Sequence, residues 1–323
     1  MRTLTRALST LSALALSAAL VTGCTSAGAA GIGIGIGIDA GSTGRSAGSD
    51  EPSADGRGRY AEINGLRLYY ETHGTGEPLV LIHGGLNTID SAFAALLPEL
   101  AETRQVIAVE LQAHGHTVDI DRPMRYELMA DDVAGLVTHL GLGKTDVLGY
   151  SLGGGVALQL ASRNPDLVQK LVVVSAPFQS AGWTPAARAG MAAMNADALL
   201  GTPVHEAYTK ASPKPEGWTA LVDKTRQLLT EDYDWTSEVA SITAPALLLV
   251  AESDSVLREH AVALASVLGS GATAPSGTTP ARLEIIPGAT HYDIMYRADL
   301  LLPLVTPFLD APAQATASVG AAK

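Results

Sequence analysis

Basic residues, charged residues in general and cysteine are all scarce in this chain of 323 residues. It has 21 lysines and arginines against 33 acidic residues, a formal net charge of −12. This balance argues against nucleic acid or an anionic membrane surface as a partner, because phosphate contacts need clustered basic side chains. Charged residues make up 17% of the chain and apolar residues 47%, which excludes a largely disordered protein and allows a large buried core.

The apolar run near the N-terminus is too short to span a membrane. It covers residues 11–21, whereas a spanning helix needs roughly 20 residues, and its length suits a signal peptide. The run ends in Val-Thr-Gly-Cys at Cys24, the only cysteine, and this ending resembles a bacterial lipobox. We therefore expect residues 1–23 to be a signal peptide, Cys24 to be lipidated, and the protein to be exported and anchored on the outer face of the cell envelope. A plain secretory signal is the alternative.

Composition also marks two segments as non-globular. Residues 24–59 are rich in Gly, Ser and Ala and contain a Gly-Ile repeat, so we interpret them as a disordered tether. The repeat is not a phosphate loop, because no strand precedes it and no helix follows. Residues 313–323 are Ala-rich without periodicity and are predicted to be a disordered tail. The globular domain is expected over residues 60–312.

Within that domain, short apolar runs alternate with longer stretches of helical periodicity, which predicts an α/β fold with a mostly parallel, doubly wound sheet. One interval, residues 178–242, has no strand candidate and is interpreted as an inserted helical cap. Strands are predicted at residues 66–72, 78–83, 105–111, 146–150, 170–175, 245–251 and 282–286, and helices at residues 91–102, 127–140, 152–163, 255–268 and 299–309.

The sequence Gly149-Tyr150-Ser151-Leu152-Gly153 lies between a predicted strand and a predicted helix. This context favours a sharp turn that holds the Ser151 hydroxyl at the carboxyl edge of the sheet, with glycines where a Cβ would collide with neighbouring backbone. Serine is a weak nucleophile by itself and needs a base, which in turn needs an orienting acceptor. Asp254 and His291 follow later predicted strands in the expected order and are the candidates, with Glu252 as the rival acid.

Residues 60 to about 310 resemble the α/β-hydrolase superfamily. The resemblance is carried by the serine motif, by Leu-Ile-His-Gly-Gly at residues 81–85, by Gly115 and by Ile-Pro-Gly-Ala-Thr-His at residues 286–291. It implies a sheet of about eight strands with the cap inserted after strand 6, and no cofactor. It also implies an oxyanion hole formed by the backbone N–H groups of Gly85 and Leu152, with Leu86 as the alternative to Gly85.

Three positions depart from the usual family pattern in the loop after the fourth family strand: Glu110, Ala113 and Thr117 stand where Asp, Gly and Ser are commoner. They concern loop structure and leave the catalytic candidates intact. His114 and His116 in this loop lack the further ligands of a metal site, so no metal is predicted. The resemblance makes His83 a structural residue that braces the oxyanion loop.

These observations predict a serine hydrolase that cleaves a small-molecule carboxylic ester through an acyl-enzyme. The Ser nucleophile excludes relatives on this fold that use Asp, such as epoxide hydrolases and haloalkane dehalogenases. Lactonase, amidase, thioesterase, carbon–carbon bond hydrolase and perhydrolase activities stay open, as do a non-turnover receptor and a structural envelope protein. The substrate-binding residues predicted between sheet and cap are Leu86, Tyr150, Phe178, Trp183 and Tyr292, with Met191, Met194 and Met295 as further candidates.

Overall fold

A computed structural model describes residues 50–54, 56–268, 270 and 281–312 of the chain. The predicted signal peptide, Cys24, most of the tether and the tail lie outside these residues. Within this part of the chain, no helix is long and apolar enough to cross a membrane.

The described residues form a single nine-stranded sheet in the order β1-β2-β3-β5-β4-β6-β7-β8-β9. The pairings from β5 through β9 are parallel, and β1, β2 and β3 add an antiparallel edge. The strands are β1 (Glu51–Pro52), β2 (Arg59–Ile63), β3 (Leu66–His73), β4 (Glu77–Ile82), β5 (Arg104–Val109), β6 (Thr145–Tyr150), β7 (Val168–Val174), β8 (Ala246–Ser253) and β9 (Arg282–Thr290).

Helices cover both faces of this sheet, which explains why its central strands are continuous apolar runs. Along β4, Leu79 and Leu81 belong to the hydrophobic cluster on one face, and Val80 and Ile82 to the cluster on the other. The predicted α/β fold class is therefore confirmed. The helices are α1 (Ile89–Phe93), α2 (Leu97–Leu100), α3 (Tyr126–His139), α4 (Leu152–Arg163), α5 (Pro185–Ala192), α6 (Pro203–Ala211), α7 (Trp218–Thr230), α8 (Thr236–Ala240), α9 (Arg258–Val267) and α10 (Ala298–Asp310).

The N-terminal edge of the sheet differs from the prediction. The expected domain boundary at residue 60 is too late, because β1 pairs with β2, and the Ser53 hydroxyl donates to the carbonyl of Gly58. Neither β1 nor β2 was predicted, since both are short and carry exposed polar residues. With these two strands the sheet has nine instead of about eight, and the cap follows the seventh strand instead of the sixth.

Two predicted helices also have different bounds. The helix expected at residues 91–102 is two short helices, α1 and α2, because Pro98 has no N–H to donate to the carbonyl of residue 94. The helix expected from residue 255 begins only at Arg258. Val256 lies outside it because its N–H donates to Asp254 and it forms an isolated β-bridge with Trp183.

The predicted cap is the connection between β7 and β8. It contains four helices, α5 to α8, and three short 3₁₀ turns, and it carries no strand. Lys224 on α7 joins the cap to the loop after β5, since its ammonium lies 2.6 Å from the Asp119 carboxylate and donates to the carbonyls of Ile120 and Arg122. This connection holds the cap over the carboxyl edge of the sheet.

Candidate active site

Ser151 occupies the turn between β6 and α4, in a left-handed backbone conformation with φ 53° and ψ −116°. Such a conformation is strained for a residue with a Cβ and persists only where the surroundings enforce it. The flanking glycines allow that packing. A Cβ on Gly149 would lie 2.2 Å from the carbonyl oxygen of Gly153, and a Cβ on Gly153 would lie 2.2 Å from that of Ile82. The structure therefore shows the close approach of neighbouring backbone that was predicted as the reason for both glycines.

The structure brings the three predicted catalytic candidates into one hydrogen-bonded line. Ser151 Oγ lies 3.0 Å from His291 Nε2, and His291 Nδ1 lies 2.8 Å from Asp254 Oδ1. Because Asp254 accepts from Nδ1–H, the lone pair of Nε2 faces the serine hydroxyl and can take its proton. The strands β8 and β9 end one residue before Asp254 and His291, respectively, so the sheet itself sets their positions.

Asp254 is almost fully buried and accepts four hydrogen bonds. The donors are His291 Nδ1, the Ser175 hydroxyl at 2.5 Å, and the amides of Ala251 and Val256. Burial alone would raise the pKa of this carboxyl, but the hydrogen bond and charge interaction with His291, followed by the bonds from Ser175 and Val256, hold it below its usual value. The carboxylate is therefore ionised and fixed in orientation.

Ser175 was missed in the sequence, although a signal for it was present. It directly follows β7, as Ser151, Asp254 and His291 directly follow β6, β8 and β9. These four strands are neighbours in the sheet, so the residues after their carboxyl ends meet at one edge. A polar residue at that position of β7 could have been included on this ground.

The rival acid, Glu252, is not part of this line. Its exposed side chain accepts from the amide of Gly288 at 2.8 Å, on the outer side of the strand end. The regular pairing of β8 with β9 is interrupted between Ala251 and Ser253, and at this irregularity Glu252 bonds to the β9 backbone instead of to His291. The histidine is further held by its own backbone, whose carbonyl accepts from the Tyr150 hydroxyl at 2.7 Å.

The two predicted oxyanion-hole residues, Gly85 and Leu152, both line the cavity beside Ser151. Leu152 is the first residue of α4, so its amide has no acceptor within the helix. Among the described residues the amide of Gly85 has no backbone acceptor either. The alternative, Leu86, is already engaged: its amide donates to His114 Nε2 at 3.1 Å. The geometry favours Gly85 over Leu86.

Two buried histidines brace the loop that carries Gly85. His83 Nε2 accepts from the amide of Leu111 in the loop after β5, and His114 in that loop accepts from the amide of Leu86. Each imidazole has its Nδ1 on a nearby backbone carbonyl, which fixes the tautomer. Burial lowers the pKa of His114 to about 4, and burial together with His114 lowers that of His83 to about 3. Both histidines are therefore neutral near pH 7, as acceptance of these bonds requires.

This arrangement gives His83 the bracing position expected for it and assigns His114 a matching position. His116 is bonded instead to the Glu110 carboxylate, 2.9 Å from its Nδ1. In the part of the chain that the structure describes, no group of three potential ligands is placed to hold a metal ion.

A cavity of about 800 Å³ lies above Ser151, between the sheet edge and the cap. Of the predicted substrate-binding residues, Leu86, Tyr150 and Tyr292 line it, as do Met191 and Met194. The remaining lining residues from the cap, here called the cap wall together with those two methionines, are Thr184, Ala186, Ala187, Gly190, Ala193, Asn195, Ala198, Leu199, Val204, Thr225 and Leu229.

Three predicted substrate-binding residues lie elsewhere. Phe178 is buried and stacks on His260, and Trp183 is buried with its ring edge-on to that of His291 at 5.7 Å, so both belong to the packing beneath the cavity. Met295 is part of the hydrophobic cluster on the opposite face from most of the cap. The lining of the cavity does not include these three side chains, and large apolar side chains pack in a protein core as readily as around a ligand.

Comparison with known proteins agrees with this architecture. Residues 77–200 match the family model described as the alpha/beta hydrolase fold. The chain is 42% identical over 117 residues to a soluble epoxide hydrolase of Corynebacterium sp. (strain C12), a match that covers 35% of this chain and 40% of that protein. It thus spans well under two thirds of that relative.

Two further matches extend over nearly the whole length of the matched protein. The 2-(acetamidomethylene)succinate hydrolase of Mesorhizobium japonicum is 25% identical over 278 residues, which cover 78% of this chain and 95% of that protein. The crystal structure of E-2-(acetamidomethylene)succinate hydrolase superposes with a TM-score of 0.62 at 21% identity, covering 79% of this chain and 99% of the other. On the fold, the serine turn and these matches, the chain has the α/β-hydrolase fold, and its residues 77–200 are similar in sequence to the family of that name.

Proposed function

We propose that this protein is a serine hydrolase that cleaves carboxylic esters through an acyl-enzyme intermediate. The observation that carries the proposal is the hydrogen-bonded line from Ser151 through His291 to the buried Asp254. In the first step Ser151 Oγ attacks the ester carbonyl carbon while its proton passes to His291 Nε2. The carbonyl electrons return, the bond to the alcohol breaks, and His291 gives its proton to the leaving oxygen.

The second half of the reaction repeats these roles with water. In this half His291 takes a proton from a water molecule while the water oxygen attacks the acyl carbon. His291 then gives that proton to Ser151 Oγ as the bond to the acyl carbon breaks and the carboxylic acid leaves. In both halves the amides of Gly85 and Leu152 face the developing oxyanion. A preorganised donor of this kind lowers the activation barrier by roughly 3 kcal/mol. The neutral His83 and His114 support this by fixing the backbone beside Gly85.

The relatives are named as hydrolases of several different kinds of bond. That an ester is the bond cleaved by this chain is therefore our proposal. Epoxide opening on this fold uses an Asp nucleophile, and the turn here carries Ser151. Lactone, carbon–carbon and perhydrolase chemistry use the same three side chains and are the alternatives to ester hydrolysis. The succinate in the name of the Mesorhizobium relative belongs to that protein, and the acyl group that fits this chain is decided by the lining of its own cavity.

The test is hydrolysis of p-nitrophenyl esters from acetate to dodecanoate by the mature chain and by Ser151→Ala. We expect turnover by the wild type and a loss of at least about a thousandfold in the variant, as removal of a triad member causes. Ser266→Ala, on the exposed face of α9, is the matched control and should keep full activity. Equal rates for Ser151→Ala and wild type would contradict the proposal. A stable, tightly bound ester that is never cleaved would favour a receptor.

For location we propose export and attachment through a lipid on Cys24, on the strength of the apolar run and the lipobox-like ending. Cell fractionation of the wild type and Cys24→Ala tests this. Release of the variant into the soluble fraction or the medium is expected, and unchanged retention in the membrane fraction would rule out the anchor.

A further inference from the structure

Apart from the catalytic candidates, the cavity above Ser151 has an uncharged lining. Among the residues that the structure describes, every one that borders this cavity except Asp254 and His291 has a neutral side chain. Most are small or apolar, such as Ala187, Met191 and Leu229. The polar ones are amides, hydroxyls and phenols, which can hydrogen-bond a neutral group but cannot balance a buried anion.

None of the lysines and arginines of the cap borders this cavity. Lys224 directly precedes the lining residue Thr225 on α7, but its ammonium lies 2.6 Å from the Asp119 carboxylate and donates to two backbone carbonyls. Arg188 on α5 borders a separate cavity, where it lies 3.8 Å from Asp232. Lys210 on α6 borders a third cavity, near Arg57. These side chains therefore leave the acyl site without a positive partner.

Burial of a carboxylate in such a site is unfavourable for two reasons. It loses hydration without gaining a charged partner, and it approaches the ionised Asp254, whose negative charge repels it. We propose that this site selects substrates whose acyl part is electrically neutral, namely aliphatic, aryl or amide-bearing acyl esters, and discriminates against half-esters of dicarboxylic acids. That the substrate is an ester rests on the proposed function, whereas the selection for a neutral acyl group rests on the lining of the cavity alone.

The test compares three esters of similar length: ethyl hexanoate, ethyl 6-amino-6-oxohexanoate and ethyl hydrogen adipate. The second and third differ only in a terminal amide against a terminal carboxylate, so their comparison isolates charge at constant size and polarity. Binding to Ser151→Ala is measured by calorimetry at pH 7.5, which needs no turnover. We expect the amide to bind at least about tenfold more tightly than the carboxylate. Equal or tighter binding of the carboxylate overturns the proposal, as does failure of both neutral esters to bind.

A variant that adds a positive charge to the cavity sharpens the result. Met191→Arg adds a cation to the cap wall, and Met191→Gln is its uncharged control of similar length. We expect Met191→Arg to tighten binding of ethyl hydrogen adipate at least about tenfold relative to the amide, and Met191→Gln to leave that ratio as in the parent. If both variants behave alike, charge does not govern selection and the proposal is overturned.

Ethanol release by the enzyme with Ser151 intact then separates this proposal from the proposed function. If neutral esters bind but are not hydrolysed, ester hydrolysis is contradicted while selection for neutral acyl groups stands. If all three are hydrolysed with equal kcat/KM and bound equally, ester hydrolysis stands and selection by charge is contradicted.

Discussion

The floor of the cavity, formed by Ser151, Asp254 and His291 with the loop 83–86, is built differently from the cap wall above it. On the floor each reacting side chain follows a buried strand directly and is held by hydrogen bonds to other buried groups. On the wall, α5 has no buried residue and is made mainly of small side chains. Preorganisation is therefore concentrated where charge develops, and the wall contributes shape. Substitutions should reveal this contrast.

The largest effect is expected from one methyl group added to α4 directly beside the floor. In Gly153→Ala the new Cβ would lie 2.2 and 2.4 Å from the carbonyl oxygens of Ile82 and His83, so α4 must move away from β4 and the oxyanion loop must shift. We expect a loss of about 2 kcal/mol or more in the free energy of unfolding, and almost complete loss of esterase activity. Urea unfolding and p-nitrophenyl ester hydrolysis measure the two effects.

Gly190→Ala, on the cap wall, is the matched control. Nothing lies within 4 Å of its added Cβ, and alanine favours the helix by roughly 0.5 to 1 kcal/mol over glycine. Stability should be equal or slightly higher, with activity within a few-fold of wild type. Similar losses in both variants would show that floor and wall are equally constrained.

The same contrast explains what could be predicted from the sequence. The floor was predictable residue by residue, because the turn at Ser151 requires glycines at fixed spacing and parallel strands bring their carboxyl ends to one edge. For the wall, the sequence predicted only where the cap begins and ends, and not which of its side chains line the cavity. Phe178 and Trp183 are as apolar as Met191, and no local pattern tells which of them faces a cavity and which the core beneath it. The edge strand β1 was missed because two residues are too few to show an alternation of apolar and polar side chains.

Ser175→Ala tests whether the floor extends to residues that touch no substrate. Loss of the hydroxyl that donates to Asp254 Oδ2 removes one of four bonds that orient the carboxylate. Bonds to charged groups contribute about 1.5 to 3 kcal/mol, so we expect kcat to fall about ten- to a hundredfold with KM nearly unchanged. Steady-state kinetics measure both, with Ser266→Ala as the control. An increase in KM at constant kcat would place Ser175 in substrate binding instead.

The buried histidines predict a pH-dependent stability of the floor. The pKa of His114 is about 4 in the folded chain, against about 6.5 for an unfolded one. As pH falls from 6.5 towards 4, the unfolded chain binds a proton that the folded chain does not, so the free energy of unfolding decreases, by ~3 kcal/mol for this residue. Above pH 6.5 the contribution is constant.

His114→Gln keeps an acceptor for the Leu86 amide but cannot be protonated. Its free energy of unfolding, measured in urea from pH 7 to 4, should fall less steeply than that of the wild type. His205→Gln, in the cap, controls for the loss of a half-exposed histidine and should follow the wild-type slope. A His114→Gln profile parallel to the wild type would mean that this histidine binds protons equally in the folded and the unfolded chain, which contradicts the prediction.

The smallest effect is expected in the wall, where two methionines of different placement can be compared. Met194 borders the cavity, whereas Met295 is buried in the hydrophobic cluster near α10. Met194→Ala lengthens the space available to an acyl chain, so the ratio of kcat/KM for octanoate over butanoate should rise several-fold, within the range for one or two methylenes. Met295→Ala should lower stability by about 2 to 5 kcal/mol and leave that ratio unchanged, because its cavity forms away from the substrate. A chain-length shift in Met295→Ala but not in Met194→Ala would reverse the assignment of wall and core.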